Sequence, residues 1–111
     1  MREPISIKKL SDIAQKQFGD LVKAVVDVER ALMAIGGELH ADAEALLIEQ
    51  SSKQADLWGI NLYPAIEGED WIEFDSMINL RPAQGNRTRS VDVTGVRDRI
   101  IQTVGRLVPG G

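Results

Sequence analysis

Four side chains that can bind a divalent cation are spaced so that they could project from one face of a sheet. His40, Asp42 and Glu44 alternate along one segment, and Asp75 lies in a later one. Alternate residues of a β-strand project from the same face, so an extended segment over 38–49 would present the first three together. Carboxylate oxygens are the ligands that Mg²⁺ and Mn²⁺ prefer, and an imidazole can add to them. The pattern predicts a Mg²⁺ or Mn²⁺ site formed by His40, Asp42, Glu44 and Asp75.

The same alternation also fits a solvated outer face, which antiparallel sheets commonly have. A single His-x-Asp-x-Glu is a weak ligand motif, because a lone histidine is more often a structural or surface residue. A hairpin turn at Gly36-Gly37 would place Glu29 directly opposite Glu44. Opposed like charges are unfavourable on a purely solvated face, which favours the metal interpretation.

A second group of candidate residues lies in residues 81–90, which we name the arginine loop. It contains three arginines and no acidic residue, although the chain as a whole is acidic. It precedes the last predicted helix, and guanidinium groups and helix N-termini both bind phosphate or carboxylate. The alternative is an ordinary connection whose arginines pair with nearby acids. The predicted anion- or partner-binding site combines arginines and asparagines of the loop and the neighbouring strands: Arg81, Asn86, Arg87, Arg89, Asn61 and Asn79.

Hydrophobic periodicity predicts a helix near each end of the chain and four strands between them. Ser6 is a good N-cap for the first helix, and Asp92 or Thr94 can cap the last. The four predicted strands span residues 21–35, 38–49, 57–63 and 71–81. The predicted fold is α+β, a two-layer sandwich with both helices on one face of a four-stranded antiparallel sheet, in the order α-β-β-β-β-α. A chain of 111 residues supports one such core, so 1–111 is predicted to be a single domain.

Residues 21–35 are the most ambiguous segment. Their apolar positions fit a helical heptad, but their β-branched valines and the alternation of residues 26–29 favour a strand. We prefer the strand, with a bulge near Arg30 where the alternation changes phase. Gly36-Gly37 then forms a two-residue hairpin turn, since glycine tolerates the positive φ angles that such turns require.

Composition excludes several classes of site. The chain has no cysteine, which excludes a disulfide framework and a thiolate metal site and fits a cytoplasmic location. The formal net charge is −4, so general binding to nucleic acid is disfavoured. The N-terminus lacks the apolar core of a signal peptide, and no stretch is long and apolar enough for a membrane span.

Three segments carry a resemblance to a known family. They read GGELHADAE at 36–44, DLWGIN at 56–61, and INLRP at 78–82 continuing through Asn86 and Arg87. Over nearly its whole length the chain resembles a family of small bacterial and archaeal proteins catalogued only as a domain of unknown function. The resemblance implies a stand-alone protein and brings no activity, cofactor or catalytic residue.

Function must therefore be inferred from the residues. The leading hypothesis is a non-enzymatic binding module, expected to be a homodimer, that recognises an anionic ligand or protein partner through the polar sheet face and the arginine loop. The alternative is a Mg²⁺- or Mn²⁺-dependent phosphoester hydrolase whose metal is held by the sheet-face carboxylates and His40. A third possibility is a structural or interaction protein whose acidic face confers only solubility.

Overall fold

Residues 3–109 are described by a computed structural model. The elements in chain order are α1 Ile7–Gln17, β1 Val22–Asp27, β2 Leu32–Ile35, α2 His40–Glu49, β3 Leu57–Leu62, β4 Ile72–Glu73 and α3 Thr94–Leu107. The four strands form one antiparallel sheet in the order β2-β1-β3-β4. This confirms the α+β class and the order helix, four strands, helix; α2 is an additional element. The ends of the predicted domain, residues 1–2 and 110–111, lie outside the described residues.

The segment 21–35 is extended, as preferred, but it forms two strands rather than one strand with a bulge. Residues 28–31 reverse the chain, so Ala24 of β1 pairs with Ile35 of β2. The buried Asp27 side chain makes this turn, because its Oδ1 accepts from the backbone N–H of Glu29 (3.0 Å) and of Arg30 (2.9 Å). The change of phase near Arg30 was therefore the sign of a turn.

The prediction that residues 38–49 are extended was wrong, because most of this segment forms α2. Its alanines, leucines and glutamates are strong helix formers, and Ala43 and Leu47, four residues apart, point into the core. Gly36, with φ of 88°, follows β2 and lies before the helix instead of closing a hairpin. The expected pairing of Glu29 with Glu44 across a hairpin does not exist.

One face of the sheet is covered by α1 and α3. Ser6 caps α1 as predicted, its Oγ accepting from the backbone N–H of Lys9 at 3.1 Å. The helices and the sheet share one cluster of buried apolar side chains, among them Leu10 of α1, Ile100 and Val104 of α3 and Ile60 of β3. Among residues 3–109, none of the helices combines the length and the apolar character needed to cross a membrane.

The other face of the sheet is covered by α2 rather than open to solvent. Ala43 and Leu47 of α2 pack against Val25, Ala34 and Leu57 in a second buried cluster. The expected polar sheet face is therefore reduced to the part that lies beyond the N-terminus of α2. This change removes the sheet face on which the metal hypothesis placed His40, Asp42 and Glu44.

The predicted strand 71–81 is strand only at Ile72–Glu73. Residues Met77–Asn79 instead form a 3₁₀ turn, in which the Ser76 side chain accepts from the backbone N–H of Ile78. This turn lies so close to β3 that a Cβ added at Gly59 would be 2.5 Å from the Cβ of Ser76. Gly59 is therefore required by the close approach of the two segments.

Candidate functional site

The arginine loop is fixed to the fold by two buried asparagines. The Asn79 amide replaces a neighbouring strand, since its Oδ1 accepts from the N–H of Gly59 (2.8 Å) and its Nδ2 donates to the Gly59 carbonyl (3.0 Å). Asn86 Nδ2 lies 2.7 Å from the carbonyl oxygens of both Asn79 and Ser90, and its Oδ1 accepts from the N–H of Asp92 at 2.7 Å. Both residues have no exposed surface, so they organise the loop and do not face a ligand.

Arg81 is also part of the scaffold. Its guanidinium carbon lies 4.7 Å from the centroid of the Trp58 ring, and its Nη2 lies 3.6 Å from Glu44 Oε2. The same group donates to the carbonyl oxygens of Ile78 and Leu57. Its side chain is only 10% exposed, so this arginine joins the loop to α2 and β3.

Arg87 and Arg89 are the exposed cations of the loop. The backbone N–H of Arg87 donates to Asp92 Oδ2 at 3.0 Å, and Thr88 Oγ1 donates to Asp92 Oδ1 at 2.7 Å. The hydrogen bond from Thr88 lowers the pKa of Asp92. Arg89 Nε lies 2.8 Å from Asp75 Oδ1 in an exposed ion pair. Asp92 thus braces the loop instead of capping α3, whose N-cap is Val93, without a side-chain hydrogen bond.

The structure does not bring together the four residues predicted to bind a metal. Within residues 3–109, no three histidine, aspartate or glutamate side chains are placed so that they could hold a metal ion. Asp42 lies exposed on α2, Glu44 faces Arg81, and Asp75 pairs with Arg89. The physical reason is the helix: with 3.6 residues per turn, Asp42 points away from the face that His40 and Glu44 share, and Asp75 lies in another segment.

A small polar cluster lies on the uncovered part of the sheet face. Asn61 is buried, and its Nδ2 donates to Glu73 Oε1 at 2.8 Å. Tyr63 donates its hydroxyl to the same carboxylate oxygen at 3.2 Å. Burial, and then the Glu73 charge, raise the pKa of Tyr63. Asn61 Oδ1 is buried and makes no hydrogen bond of normal geometry among the described residues, although Asn61 is close enough to His40 to raise the pKa of its imidazole slightly. The cluster is internally paired apart from this one acceptor.

A cleft of about 580 Å³ lies between residues 68–74 and α3. Its lining includes Trp71, Phe74 and Ile101, with Arg97 among them. The Arg97 guanidinium carbon lies 4.5 Å from the centroid of the Phe74 ring. Sequence reasoning did not single out Arg97, because its neighbours in space are distant in the chain and no local pattern marks it.

Comparison with known proteins places the chain in a family. The model of the DUF5674 family, described as a protein of unknown function, matches residues 1–107. The chain belongs to the DUF5674 family. The resemblance inferred from the three sequence segments is thereby confirmed. No curated protein and no solved structure gives a significant match to the chain.

The three segments have distinct structural roles in this DUF5674 chain. Residues 36–44 contain the turn after β2 and the first half of α2, and residues 56–61 contain most of β3. The third segment includes Asn79 and Asn86, the buried residues that attach the arginine loop to the fold. It also includes Arg87, an exposed cation of that loop. The segments that carry the resemblance therefore build the connection between α2, β3 and the arginine loop.

His40, the single histidine of the DUF5674 chain, is half-buried at the start of α2. Its Nε2 lies 2.8 Å from the carbonyl oxygen of Ile60, which can only accept, so Nε2 carries a hydrogen. Burial lowers the pKa of His40 below its ordinary value of 6.5, and Lys23 adds to this, whereas the bond to Ile60 and nearby Asp75 oppose it. The ring is therefore neutral at pH 7.

This lowered pKa predicts a pH-dependent stability. As the pH falls below 6.5, the unfolded chain takes up a proton on His40 before the folded chain does. The free energy of unfolding should therefore decrease between pH 6.5 and the folded-state pKa, and stop responding to His40 below that pKa. We expect the wild-type protein to be more stable in urea at about pH 7.5 than at about pH 5.5.

The control for this prediction is His40→Gln, which keeps an N–H donor near Ile60 and does not titrate. The variant should lose the part of the pH dependence that belongs to the histidine. Identical pH profiles for the two proteins, or an NMR-measured His40 pKa at or above 6.5, would contradict the prediction.

Proposed function

We propose that this protein is a non-enzymatic binding module that recognises an anionic group, on a small ligand or a protein partner, through the arginine loop. One observation carries the proposal. The Arg87 side chain is exposed, and its guanidinium has no hydrogen bond or ion pair within residues 3–109. A free guanidinium offers five N–H donors in a geometry that matches carboxylate or phosphate.

The backbone that carries Arg87 is preorganised. Asn86, the preceding residue, is fully buried and uses both polar atoms of its amide to bind the loop. Asp92 holds the loop from the other side through the N–H of Arg87 and the hydroxyl of Thr88. An ordered loop loses less conformational entropy on binding, so more of the interaction energy remains as affinity.

Arg89 can contribute to the same recognition. Arg89 forms an ion pair with Asp75, and the two side chains are 55% and 44% exposed, respectively. Exposed ion pairs of this kind contribute about 0–1 kcal/mol, so an incoming anion can replace Asp75 at low cost. The loop is held in place by the side chains of Arg81, Asn79 and Asn86. No comparable observation among the described residues supports the hydrolase alternative.

The proposal includes a cytoplasmic location and a homodimer. The absence of cysteine fits a reducing compartment. Large apolar side chains are exposed along and beside α2, at Leu46, Ile48, Met77 and Leu80. Exposed apolar surface of this kind favours self-association, which light scattering after size exclusion measures directly.

The test is an NMR titration of the ¹⁵N-labelled protein with inorganic phosphate at low ionic strength. Amide signals of residues 86–90 should shift, with a dissociation constant that rises with added salt because the contact is electrostatic. Replacing Arg87 and Arg89 by alanine should weaken this binding about tenfold or more, since hydrogen bonds between charged groups contribute roughly 1.5–3 kcal/mol.

The matched control removes two other exposed arginines, both on α3. Arg99 pairs with Glu29, and Arg106 donates to the carbonyl of Ala31, so neither belongs to the loop. The Arg99→Ala, Arg106→Ala variant changes the net charge by the same amount and should bind phosphate as the wild type does. Equal losses in the two double variants, or no localised shift in residues 86–90, would refute the proposal.

A further inference from the structure

The cleft between residues 68–74 and α3 has the size and lining of a small-molecule site. Its volume of about 580 Å³ lies within the range of about 300–1,000 Å³ that is typical of such sites. Trp71 and Ile72 are buried beneath it, Phe74 forms part of the wall, and Ile101 stands at its edge, 47% exposed. The accessible apolar surface of the cleft is therefore provided mainly by Phe74 and Ile101.

Arg97 is the one cationic side chain among the described residues that line the cleft. The ion pairs among residues 3–109 are Arg81–Glu44, Arg89–Asp75 and Arg99–Glu29, and Arg97 belongs to none of them. Its side chain is partly buried, and Arg97 is close enough to the exposed Asp92 carboxylate to help lower the pKa of Asp92. A carboxylate bound in the cleft would give this guanidinium a direct ionic partner.

The Arg97 guanidinium is also held in a fixed orientation. Its Nε donates to the Val91 carbonyl at 2.7 Å, its Nη2 donates to Ser90 Oγ at 3.0 Å, and its central carbon lies over the Phe74 ring. Its Nη1 has no hydrogen-bond acceptor among the described residues and remains available. This is a preorganised donor next to an aromatic wall.

We propose that this cleft binds a small planar aromatic monocarboxylate. The ring lies against Phe74 and Ile101, above the buried Trp71, and the carboxylate accepts a charge-assisted hydrogen bond from Arg97. Glu69 and Asp70 also line the cleft, and their charges disfavour a dianion or polyanion. The site is distinct from the exposed Arg87 and does not depend on the function proposed for the arginine loop.

The test uses 2-naphthoate as the probe and 2-naphthylmethanol as its neutral analogue. We expect 2-naphthoate to bind with a dissociation constant on the order of 1 mM or lower. It should shift the Trp71 indole signal and the amide signals of residues 68–74 and 97–101 in NMR spectra. The neutral analogue should bind about tenfold more weakly, because it cannot form the charged contact with Arg97.

Two variants separate the charge of the site from its shape. Arg97→Gln should weaken 2-naphthoate about tenfold and leave the neutral analogue unchanged. Ile101→Trp should fill the cleft and abolish binding of both probes, and it should fold because Ile101 lies at the surface. The control is Arg99→Gln on the same helix, whose guanidinium pairs with Glu29 outside the cleft and whose loss should change nothing.

Several results would overturn this proposal. They are the absence of shifts in residues 68–74 and 97–101, equal affinity for both probes, or an equal effect of Arg97→Gln and Arg99→Gln. Failure to bind because a second copy covers the cleft, detected as a dimer by sedimentation, would also overturn it. Arg87→Ala should leave binding of 2-naphthoate unchanged, so the outcome is independent of the arginine loop.

Discussion

Gly59→Ala is expected to lower the free energy of unfolding by about 3 kcal/mol, because it forces an extra methyl group into a filled space. The new Cβ would lie 2.5 Å from both the Cβ and the Oγ of Ser76, and 3.2 Å from Ile78 Cγ1. Ser76 cannot move away easily, since it is buried and its N–H donates to the Arg89 carbonyl at 2.9 Å. Urea unfolding followed by circular dichroism measures the loss.

The control for this prediction is the double variant Gly59→Ala, Ser76→Gly, which removes the atoms that the new methyl group would meet. We expect it to be more stable than the sum of the two single changes predicts, with a coupling of about 1–3 kcal/mol. If Gly59→Ala alone changes stability by less than about 0.5 kcal/mol, the two segments do not approach as closely as described.

Asn86→Ala is expected to cost a similar amount, about 3 kcal/mol, for a different reason. The substitution leaves the carbonyls of Asn79 and Ser90 and the N–H of Asp92 without their side-chain partner. Buried polar groups without hydrogen bonds are costly, and here one side chain serves all three. The same urea unfolding experiment measures the change.

Arg87→Ala is the matched comparison for Asn86→Ala. It removes the next side chain along the loop, but that side chain is exposed and has no partner among the described residues. Its effect on stability should stay within about 0.5 kcal/mol. Similar stability for the Asn86→Ala and wild-type proteins would mean that the loop does not depend on the buried amide. Anion binding by the arginine loop would then lose its structural basis.

Sequence reasoning succeeded where one periodicity dominated. The amphipathic patterns of α1 and α3 and the Ser6 cap were read correctly, and so was the strand at Leu57–Leu62. It failed at 38–49, where alanine and leucine alternate but also recur every three to four residues. Small apolar side chains satisfy both periods, so burial of Ala43 and Leu47 against the sheet selected the helix.

For the candidate sites too, some features followed from the sequence and others did not. The position of the arginine loop before α3 follows from composition and turn residues, but the sequence does not distinguish its three arginines. Arg81 contacts Trp58 and Glu44, whereas the Arg87 guanidinium has no partner within residues 3–109. His40, Asp42 and Glu44 were predicted to share a strand face, but the helix turns Asp42 away from the other two.

Local sequence thus determined the fold class, the first and last helices, the strand Leu57–Leu62 and the presence of a basic loop in an acidic chain. These features depend on side-chain type and on spacing over a few residues, which a linear sequence displays directly. Only the tertiary structure decided which cations stay unpaired and that Arg97 stacks on Phe74 beside a cleft. Those properties depend on contacts between residues far apart in the chain. Such contacts form, and contribute to stability, only after the segments have packed.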